Sequence, residues 1–457
     1  MRESLELVYP AGMRSEAFAD YVLQKCGIDT VNPPLPINPF AIMRNCGVIY
    51  QFMNAKKLEG IYIVPEDEHD IPLVGINFNR PITRQRFTAA HELCHHLKDR
   101  QSQYCQIGNF RNGMERYAEN FAAALLMPAQ ALQKAAEEYM VDGQVNLQAA
   151  LLLSVKFGVS FRACALRLAY VLHLLPFTDA KELNKRIEKF KPDKVKEQLG
   201  IDLNPLVLMA QAVDSYEFFF QIKPDITWYI FKNNFIFHEN RMEGVDLEEE
   251  EVAEIVTDLR LHGHDSEYCC TEYDNIIQVT GHAAIYDYIC STEDPLDIYK
   301  LMVLNRMLFQ YTPYPDAASG TRRDNACVQG ASFETADYHD IMSRIIALAP
   351  VVQDAMANIE KISVSDWIDR LVRIHHEITQ IHPFVDGNGR CSRAFMNWML
   401  RKKKLPPIYI KHTEKQRYYD ALALADSKGD YQELSKIIIR ELIRTMMEIN
   451  TGYGSDK

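Results

Sequence analysis

One segment, residues 364–402, constrains the fold more than any other, because it predicts two helices separated by a single short turn. Apolar residues recur with helical spacing over 367–378 and again over 394–399. Between these stretches lies the sequence IHPFVDGNGRCSR, which starts at residue 381. We therefore expect a helix, a turn and a second helix, with the charged residues gathered at the turn.

The glycines and arginines of this turn are of the kind that hold phosphate. Gly387 and Gly389 let a ligand approach the backbone closely, and the first N–H groups of the following helix favour an anion. Arg390 and Arg393 lie in the first turn of that helix, where cations are unfavourable unless an anion offsets them. Arginine also binds phosphate through two N–H groups at once.

Two further residues of the turn suit a metal ion and a proton transfer. Asp386 could hold Mg²⁺, which binds through few carboxylates together with substrate phosphates. His382 could accept a proton from an attacking hydroxyl group. Ordinary helix–helix turns also use Gly and Asn, so a solvated turn is the alternative. The complete set of residue types in this order favours a nucleotide site.

The motif HPFVDGNGRCSR at 382–393 resembles the signature of Fic (fido) domains, HPFx[D/E]GNGRxxR, without a departure. The resemblance implies a helical domain that transfers part of a nucleotide, usually AMP from ATP, onto a protein hydroxyl group. It implies that His382 is the general base and that Asp386 binds Mg²⁺. It also implies the following nucleotide-binding residues: Phe384; Gly387, Asn388 and Gly389, which form the anion hole; Arg390 at phosphate; and Arg393 at the γ-phosphate.

Residues 238–247 are similar to the inhibitory motif of that family, [S/T]xxxE[G/N], with Glu239 where the family has Ser or Thr. The resemblance implies that Glu243 pairs with Arg393 and keeps the γ-phosphate out of place. Four consecutive glutamates at 248–251 offer the alternative of a solvated acidic surface.

Residues 320–330 are similar to the family's GxxR segment and target-docking flap. A β-hairpin flap of this kind could bind an extended segment of a target protein by strand addition. The alternative is an ordinary hairpin edge.

A second motif, HELCH at 91–95, has the spacing of a zinc site. On a helix it places His91 and His95 on one face, one turn apart, with Glu92 beside them as a base for water. The segment 115–122 offers Glu115 and Glu119, one turn apart on another helix, as the third ligand. A chance HExxH in a soluble helix is the alternative.

The surroundings of this motif resemble ImmA/IrrE-type zinc metallopeptidases across about 25–172, through segments at 36–42, 77–95, 121–128 and 157–160. The resemblance implies that His91, His95 and a downstream glutamate bind Zn²⁺ and that Glu92 is the base. Glu115 fits the family's position best, and Glu119 is the reserve. Cys94 replaces the family's usual glycine and is interpreted as a core residue.

The sequence therefore predicts two domains. Residues 1–175 are expected to form an α+β, zincin-like domain with the HExxH motif on a helix. Residues 176–224 are expected to form a Lys-rich helical connector. Residues 225–457 are expected to form a mostly α-helical Fic fold with an N-terminal inhibitory helix and the β-hairpin flap.

The composition limits which classes of partner and which cellular location are expected. The formal charge of −12 argues against nucleic acid. The ten cysteines are scattered without CxxC spacing and are interpreted as reduced core residues. Neither a signal peptide nor an apolar stretch of membrane-spanning length is evident, so a cytoplasmic protein without membrane contact is expected.

Three functions remain in competition. The leading one is a protein adenylyltransferase that uses ATP and Mg²⁺ and modifies another protein or itself. The second is a zinc endopeptidase of a specific partner, with the Fic half as a regulatory part. In the third, the first domain only recognises a protein partner and does not use its metal.

Overall fold

A computed structural model describes residues 5–65, 71–101, 103–106, 113–202, 205–220, 224–268, 274–312, 320–327 and 334–451. The chain divides into two compact units, Met1–Tyr216 and Glu217–Lys457. The helices at 180–198, which the sequence predicts as a connector, group with the first unit.

The first unit contains a four-stranded sheet in the order β1-β3-β2-β4. Its strands are β1 Ile49–Met53, β2 Leu58–Ile63, β3 Leu73–Asn77 and β4 Gln103–Gln106. β1 runs parallel to β3, whereas β2 is antiparallel to both β3 and β4. The apolar stretches at 61–64 and 73–77 predict two of these strands, and β2 and β3 occupy those positions.

Helices lie before, between and after these strands in the chain. In chain order they are α1 Ser15–Lys25, α2 Pro39–Asn45, α3 Ile82–Cys94, α4 Gly113–Leu126, α5 Ala129–Ala136, α6 Leu147–Phe157, α7 Phe161–Tyr170, α8 Ala180–Lys189, α9 Pro192–Gln198 and α10 Leu206–Phe220. α3 continues as a π-helix over His95–Asp99 and stops at Arg100, whose φ is 49°.

Most of α3 is buried, including the charged residue Arg86 in its middle. The Arg86 guanidinium donates to the carbonyl of Gly158 at 3.0 Å and to that of Ile37 at 2.6 Å. Burying a charge costs free energy unless its hydrogen bonds are satisfied. These contacts therefore allow the charged Arg86 side chain to lie in the core. They fix α3, which carries the HExxH sequence.

The second unit is mostly helical. Its helices are α11 Pro224–Met242, α12 Glu249–His262, α13 Asp274–Ser291, α14 Lys300–Leu308, α15 Ile341–Ala357, α16 Val364–Ile381, α17 Asn388–Lys402, α18 Lys415–Lys428 and α19 Gln432–Thr451. The two helices predicted around the glycine turn are α16 and α17. Their apolar faces bury Trp367 and Trp398. A small sheet in the first domain and a mostly helical second domain, both predicted from the sequence, are confirmed.

The predicted flap is only partly covered by the described residues. Thr321 forms an isolated antiparallel bridge with Phe384, and 322–327 follow without strand pairing. Val328, Gln329 and Gly330 lie outside the described residues, so the β-hairpin flap remains a prediction.

In the part of the chain that the structure covers, no single helix has the length and apolar character needed to cross a membrane. The pair α6 and α7 passes this test only when taken together, and the two helices meet at a bend of 115°.

Candidate functional sites

His382 ends α16 in a left-handed backbone conformation, with φ 48° and ψ 59°. This conformation costs a non-glycine residue about 1–3 kcal/mol, so the surrounding contacts must hold it in place. Arg322 provides them. Its Nε donates to the His382 carbonyl at 2.7 Å, and its backbone N–H donates to the Pro383 carbonyl at 2.9 Å.

The imidazole of His382 is held in its neutral form. Burial lowers its pKa, and the positive charge of Arg322 lowers the pKa further. Since an unperturbed imidazole already has a pKa near 6.5, His382 is neutral at pH 7. It is therefore in the state that accepts a proton.

Asn388 holds the loop between α16 and α17 together. Its Oδ1 accepts the Phe384 N–H at 2.8 Å and its Nδ2 donates to the Phe384 carbonyl at 2.9 Å. The Phe384 side chain, which the resemblance places among the nucleotide contacts, is buried. The Asn388 side chain and the backbone groups of Phe384 are thus used within the chain, and the backbone of Asn388 is the part of this pair that a ligand could contact.

A second asparagine supports the same loop from outside. Asn305, buried on α14, donates from Nδ2 to the Asp386 carbonyl at 3.0 Å. Its Oδ1 accepts the Gly320 N–H at 2.9 Å. Gly387 has a φ of 79°, and a Cβ added there would lie 2.5 Å from a methyl group of Leu308 on the same helix. α14 therefore packs directly under the turn, and only glycine fits at 387.

Asp386 lies at the tip of the loop with its side chain 66% exposed. One carboxylate oxygen accepts the Gly387 N–H at 2.5 Å, and the other contacts Nη2 of Arg390 at 3.0 Å. Mg²⁺ takes oxygen ligands and keeps several of its waters, so the chemistry of an exposed carboxylate fits it.

Arg393 forms ion pairs with two carboxylates. Its Nη2 contacts Glu243 at 2.5 Å, as the sequence resemblance implies, and its Nε contacts Glu239 at 2.5 Å. The side chains of Arg393 and Glu239 are 2% and 1% exposed, whereas that of Glu243 is 27% exposed. Glu239 occupies the last turn of α11, and Glu243 follows directly after the helix ends.

The Glu243 carboxylate lies over the N-terminus of α17. A Cβ added at Gly389 would lie 3.0 Å from Oε1 of Glu243 and 2.9 Å from Nη1 of Arg393. The first N–H groups of a helix have no acceptor within the helix and favour an anion. The Glu243 carboxylate therefore lies beside the N-terminus of α17, where such an anion is favoured.

The two glutamates differ in their electrostatics. Burial alone would raise the pKa of Glu243, but Arg393 and Arg390 outweigh it and lower that pKa. Burial also raises the pKa of Glu239, and there Arg393 does not overcome it. The pKa of Arg393 itself is raised, because Glu239 and Glu243 outweigh its burial. Glu243 is therefore the more firmly ionised partner.

In the first unit, three side chains of the HExxH region converge. Nε2 of His91 lies 3.1 Å from Oε2 of Glu115 and 3.1 Å from Nε2 of His95, and His95 lies 3.5 Å from Oε1 of Glu115. Their donor atoms all fall within 4.8 Å of one another. Two imidazole nitrogens and one carboxylate match the donor set of a zinc site that keeps an open position.

Asp99 fixes the orientation of the His95 imidazole. Its Oδ2 lies 2.8 Å from Nδ1 of His95, four residues earlier, across the π-helical turn. Histidines that bind a metal usually donate their other ring N–H to a carboxylate or carbonyl, which orients the ring. His95 is thus placed with Nε2 towards Glu115.

Glu92 is fully buried beside these residues, and neither of its carboxylate oxygens has a hydrogen-bond partner in the described structure. Burial raises its pKa well above the ordinary range, and the charge of Glu115 adds to the effect. Gly60 of β2 makes room for it, since a Cβ there would lie 2.6 Å from Oε1 of Glu92. An orphaned buried carboxyl group next to the donors suits a base for water.

Glu119 does not join this cluster. It lines a cavity of about 400 Å³ between α3, α4 and α7, together with Arg84 and Phe87. The ring of Phe87, one of the residues that line this cavity, lies 6.5 Å from that of His91. Burial raises the pKa of Glu119. Of the two candidate third ligands, the structure brings Glu115 to the histidines.

Four contributing residues have no role in the sequence analysis: Asp99, Glu239, Asn305 and Arg322. Asp99 follows His95 by four residues, and Glu239 precedes Glu243 by four. Helical spacing could therefore have identified each as a neighbour of its partner on one helix face. Asn305 and Arg322 reach the loop from 81 and 60 residues away. No local sequence pattern signals such contacts.

Comparison with known proteins gives the following matches. Residues 45–169 match the IrrE N-terminal-like domain, and residues 295–400 match the Fic/DOC family. The protein adenylyltransferase Fic of Drosophila erecta is 37% identical over 81 residues, which make up 18% of this chain and 16% of that protein. The one of Drosophila melanogaster is 42% identical over 64 residues, or 14% and 13%.

Among solved structures, Fic-1 from C. elegans has a TM-score of 0.44 and 15% identity, covering 81% of this chain and 99% of that chain. The matched segments span less than a fifth of the two curated relatives.

Proposed function

Because the chain joins an IrrE N-terminal-like domain to a Fic domain, we propose that it is a protein adenylyltransferase, which transfers AMP from ATP to a hydroxyl group of a protein. The observation that carries this proposal is the arrangement around α17. A neutral His382 precedes the N-terminus of α17, where Arg390 lies in the first turn and Arg393, expected in the first turn from the sequence, lies in the second. The acceptor is a serine, threonine or tyrosine of another protein, or of this chain itself.

The reaction follows from these positions. The acceptor oxygen forms a bond to the α-phosphorus of ATP while the bond to pyrophosphate breaks, and His382 takes the hydroxyl proton. The N–H groups at the start of α17 stabilise the charge that develops on phosphate oxygens. Arg390 and Arg393 hold the phosphates. Asp386 would hold Mg²⁺, which supplies further neutralisation of phosphate charge.

We also propose that Glu243 inhibits this reaction. Its carboxylate pairs with Arg393 and lies over the first turn of α17, so it competes with the γ-phosphate for the same donors. A poorly placed γ-phosphate leaves the α-phosphorus out of line with the acceptor oxygen. Low basal activity is the expected consequence.

The test is transfer of label from α-labelled ATP in the presence of Mg²⁺. We expect Glu243→Gly to increase protein labelling and His382→Ala to reduce it about 10²–10⁴-fold, the usual contribution of a general base. The matched control is His262→Ala, an exposed histidine at the end of α12 that pairs with Asp258 on the same helix. Labelling that is the same in all four proteins contradicts the transferase proposal.

A second activity is proposed for the first unit, where His91, His95 and Glu115 would hold Zn²⁺ and Glu92 would accept a proton from water. Zn²⁺ would supply the polarisation of a peptide carbonyl. The cavity lined by Phe87 would take part of the substrate chain. The product would be a cleaved partner protein.

Elemental analysis of the purified protein tests this second proposal together with a cleavage assay on co-expressed partners. One zinc per chain, lost in His91→Ala, and cleavage lost in Glu92→Gln are expected. A well-folded protein that retains no zinc supports the alternative in which this unit only recognises a partner.

A further inference from the structure

Glu239 is placed differently from Glu243, although both contact the same guanidinium. Glu239 belongs to α11, is almost completely buried, and contacts Nε of Arg393. Glu243 lies beyond the helix end, is partly exposed, and contacts Nη2. A ligand that enters from solvent can therefore displace Glu243, but it cannot reach Glu239.

We propose that Glu239 is a second residue that controls the phosphate-binding capacity of Arg393 and thereby sets how strongly the site prefers a nucleoside triphosphate over a diphosphate. This inference rests on the proposed nucleotide site and deepens it. Glu239 touches neither the nucleotide nor the acceptor, so it is a positioning residue that acts through Arg393.

Glu239 acts on Arg393 first through its charge. With both carboxylates ionised, Arg393 faces two negative charges within hydrogen-bond distance. Displacing Glu243 leaves a guanidinium that Glu239 still neutralises. The attraction of a γ-phosphate for this neutral pair is much weaker than for a lone guanidinium, since Coulomb attraction inside a protein is large only between net charges.

The second effect of Glu239 is on orientation. The contact between Glu239 and Nε fixes the orientation of the Arg393 guanidinium. In this orientation, the edge formed by Nη1 and Nη2 faces Gly389 and the loop. That edge is the one that binds a phosphate with two N–H groups. Glu239 therefore does not block the phosphate. It fixes the donor and reduces its net charge.

The support of Glu239 is rigid. Oδ1 of Asn240, next to Glu239, lies 3.0 Å from Nδ1 of the buried His282 on α13. Lys415 on α18 donates to the carbonyl of Met242 at 2.6 Å, between the two glutamates. The end of α11 is thus tied to two other helices, and Glu239 stays in place when Glu243 moves away.

A purely structural role for Glu239, that of satisfying a buried arginine, makes a different prediction. Glutamine in its place keeps the volume and an acceptor oxygen for Nε but removes the charge. A structural role would change ATP and ADP affinity alike. The proposed role changes the affinity of ATP selectively, because only ATP brings a γ-phosphate to Arg393.

The experiment measures dissociation constants of Mg-ATP and Mg-ADP by calorimetry, in full-length protein carrying His382→Ala so that ATP is not consumed. Three variants are compared: Glu243→Gly, Glu239→Gln with Glu243→Gly, and Glu441→Gln with Glu243→Gly. Glu441 is the matched control, because it is also buried and pairs with an arginine, Arg444, on α19.

We expect Glu239→Gln to tighten ATP binding about tenfold relative to Glu243→Gly alone, with ADP changing less than about twofold, and the control to leave the ratio unchanged. An unchanged ATP-to-ADP ratio overturns the proposal. Glu239→Ser, which removes the charge with a smaller side chain, replaces Glu239→Gln if the latter does not fold. Since binding is measured without turnover, the result stands apart from any failure to detect labelled protein, which bears on the proposed function alone.

Discussion

At the scale of single residues, the proposed transferase depends on a histidine whose backbone is strained and whose ring is kept neutral. The left-handed conformation of His382 persists because Arg322 binds the carbonyls around it. The same guanidinium helps to lower the pKa of the imidazole. One arginine therefore contributes both to the position and to the neutral state of the proton acceptor.

The pH dependence of AMP transfer follows from this arrangement. His382 must be neutral to accept a proton, and its lowered pKa means that it stays neutral below the usual imidazole pKa of about 6.5. We expect kcat/KM of the Glu243→Gly protein to fall with decreasing pH, with a midpoint below 6.5. Initial rates measured between about pH 5 and about pH 8 check this, and a midpoint at or above 6.5 would show that the environment of His382 is misassigned.

At the scale of secondary-structure elements, the loop between α16 and α17 is fixed by elements that are distant in sequence. Asn305 on α14 ties the loop carbonyl of Asp386 to the N–H of Gly320. Each buried backbone group left without a partner costs about 1–3 kcal/mol. α14 is therefore part of the site, although it contributes no residue to the phosphate-binding turn.

Asn305→Ala tests this support. We expect it to lower the free energy of unfolding of the second unit by about 1–3 kcal/mol and to reduce AMP transfer, because the turn loses its anchor. Asn358→Ala is the matched control, since Asn358 is half-buried directly after the end of α15 and its side chain bonds Asp354. Its effect should stay within about 0.5 kcal/mol. Denaturant unfolding and labelling report the two quantities, and equal effects of both variants would argue against the anchor.

The sequence predicts the two helices and the turn because their pattern is local. Helical spacing, glycines and charges within 364–402 suffice to place α16, α17 and the loop between them. The contacts of Asn305 and Arg322 depend on tertiary packing, which no spacing along the chain encodes. Glu239 is an intermediate case. Its position one turn before Glu243 was visible, but its burial against Arg393 depends on how α11 packs.

In the first unit, too, local spacing predicts some features of the site, whereas others depend on tertiary packing. The spacing of His91 and His95 predicts their common face, whereas the close approach of Gly60 to Glu92 appears only when β2 packs on α3. A Cβ at residue 60 would lie 2.4 Å from a methyl group of Thr88 as well as 2.6 Å from Glu92. β2 and α3 are therefore packed too closely there for any side chain.

Gly60→Ala should consequently disturb the candidate zinc site. We expect a loss of stability of about 1–3 kcal/mol from overpacking, together with a lower zinc content, because α3 must shift. Gly113→Ala at the start of α4 is the control, since no atom lies within 4 Å of the added Cβ. Thermal unfolding and elemental analysis of both variants give the comparison. Full zinc retention in Gly60→Ala would mean that the packing of β2 on α3 does not position the donors.

At the scale of the whole molecule, each candidate site is built from residues of one compact unit. The three donors and Glu92 belong to the unit Met1–Tyr216, and the loop with the two glutamates that contact Arg393 belongs to Glu217–Lys457. A ligand that binds only the folded state stabilises the unit that contains its site. Two ligands with sites in different units should therefore raise the Tm of two separate unfolding transitions, one for each unit.

Scanning calorimetry with zinc and with Mg-ATP tests this separation. At a hundredfold excess over its dissociation constant, a ligand stabilises its unit by about 2.7 kcal/mol, which for units of this size raises Tm by about 5–10 °C. We expect His91→Ala to abolish the zinc shift and to leave the nucleotide shift intact. Glu243→Gly should enlarge the nucleotide shift, because Arg393 and the first turn of α17 become available, and it should leave the zinc shift unchanged. If His91→Ala also alters the nucleotide shift, the two sites are coupled, and adenylyl transfer then depends on the metal state of the first unit.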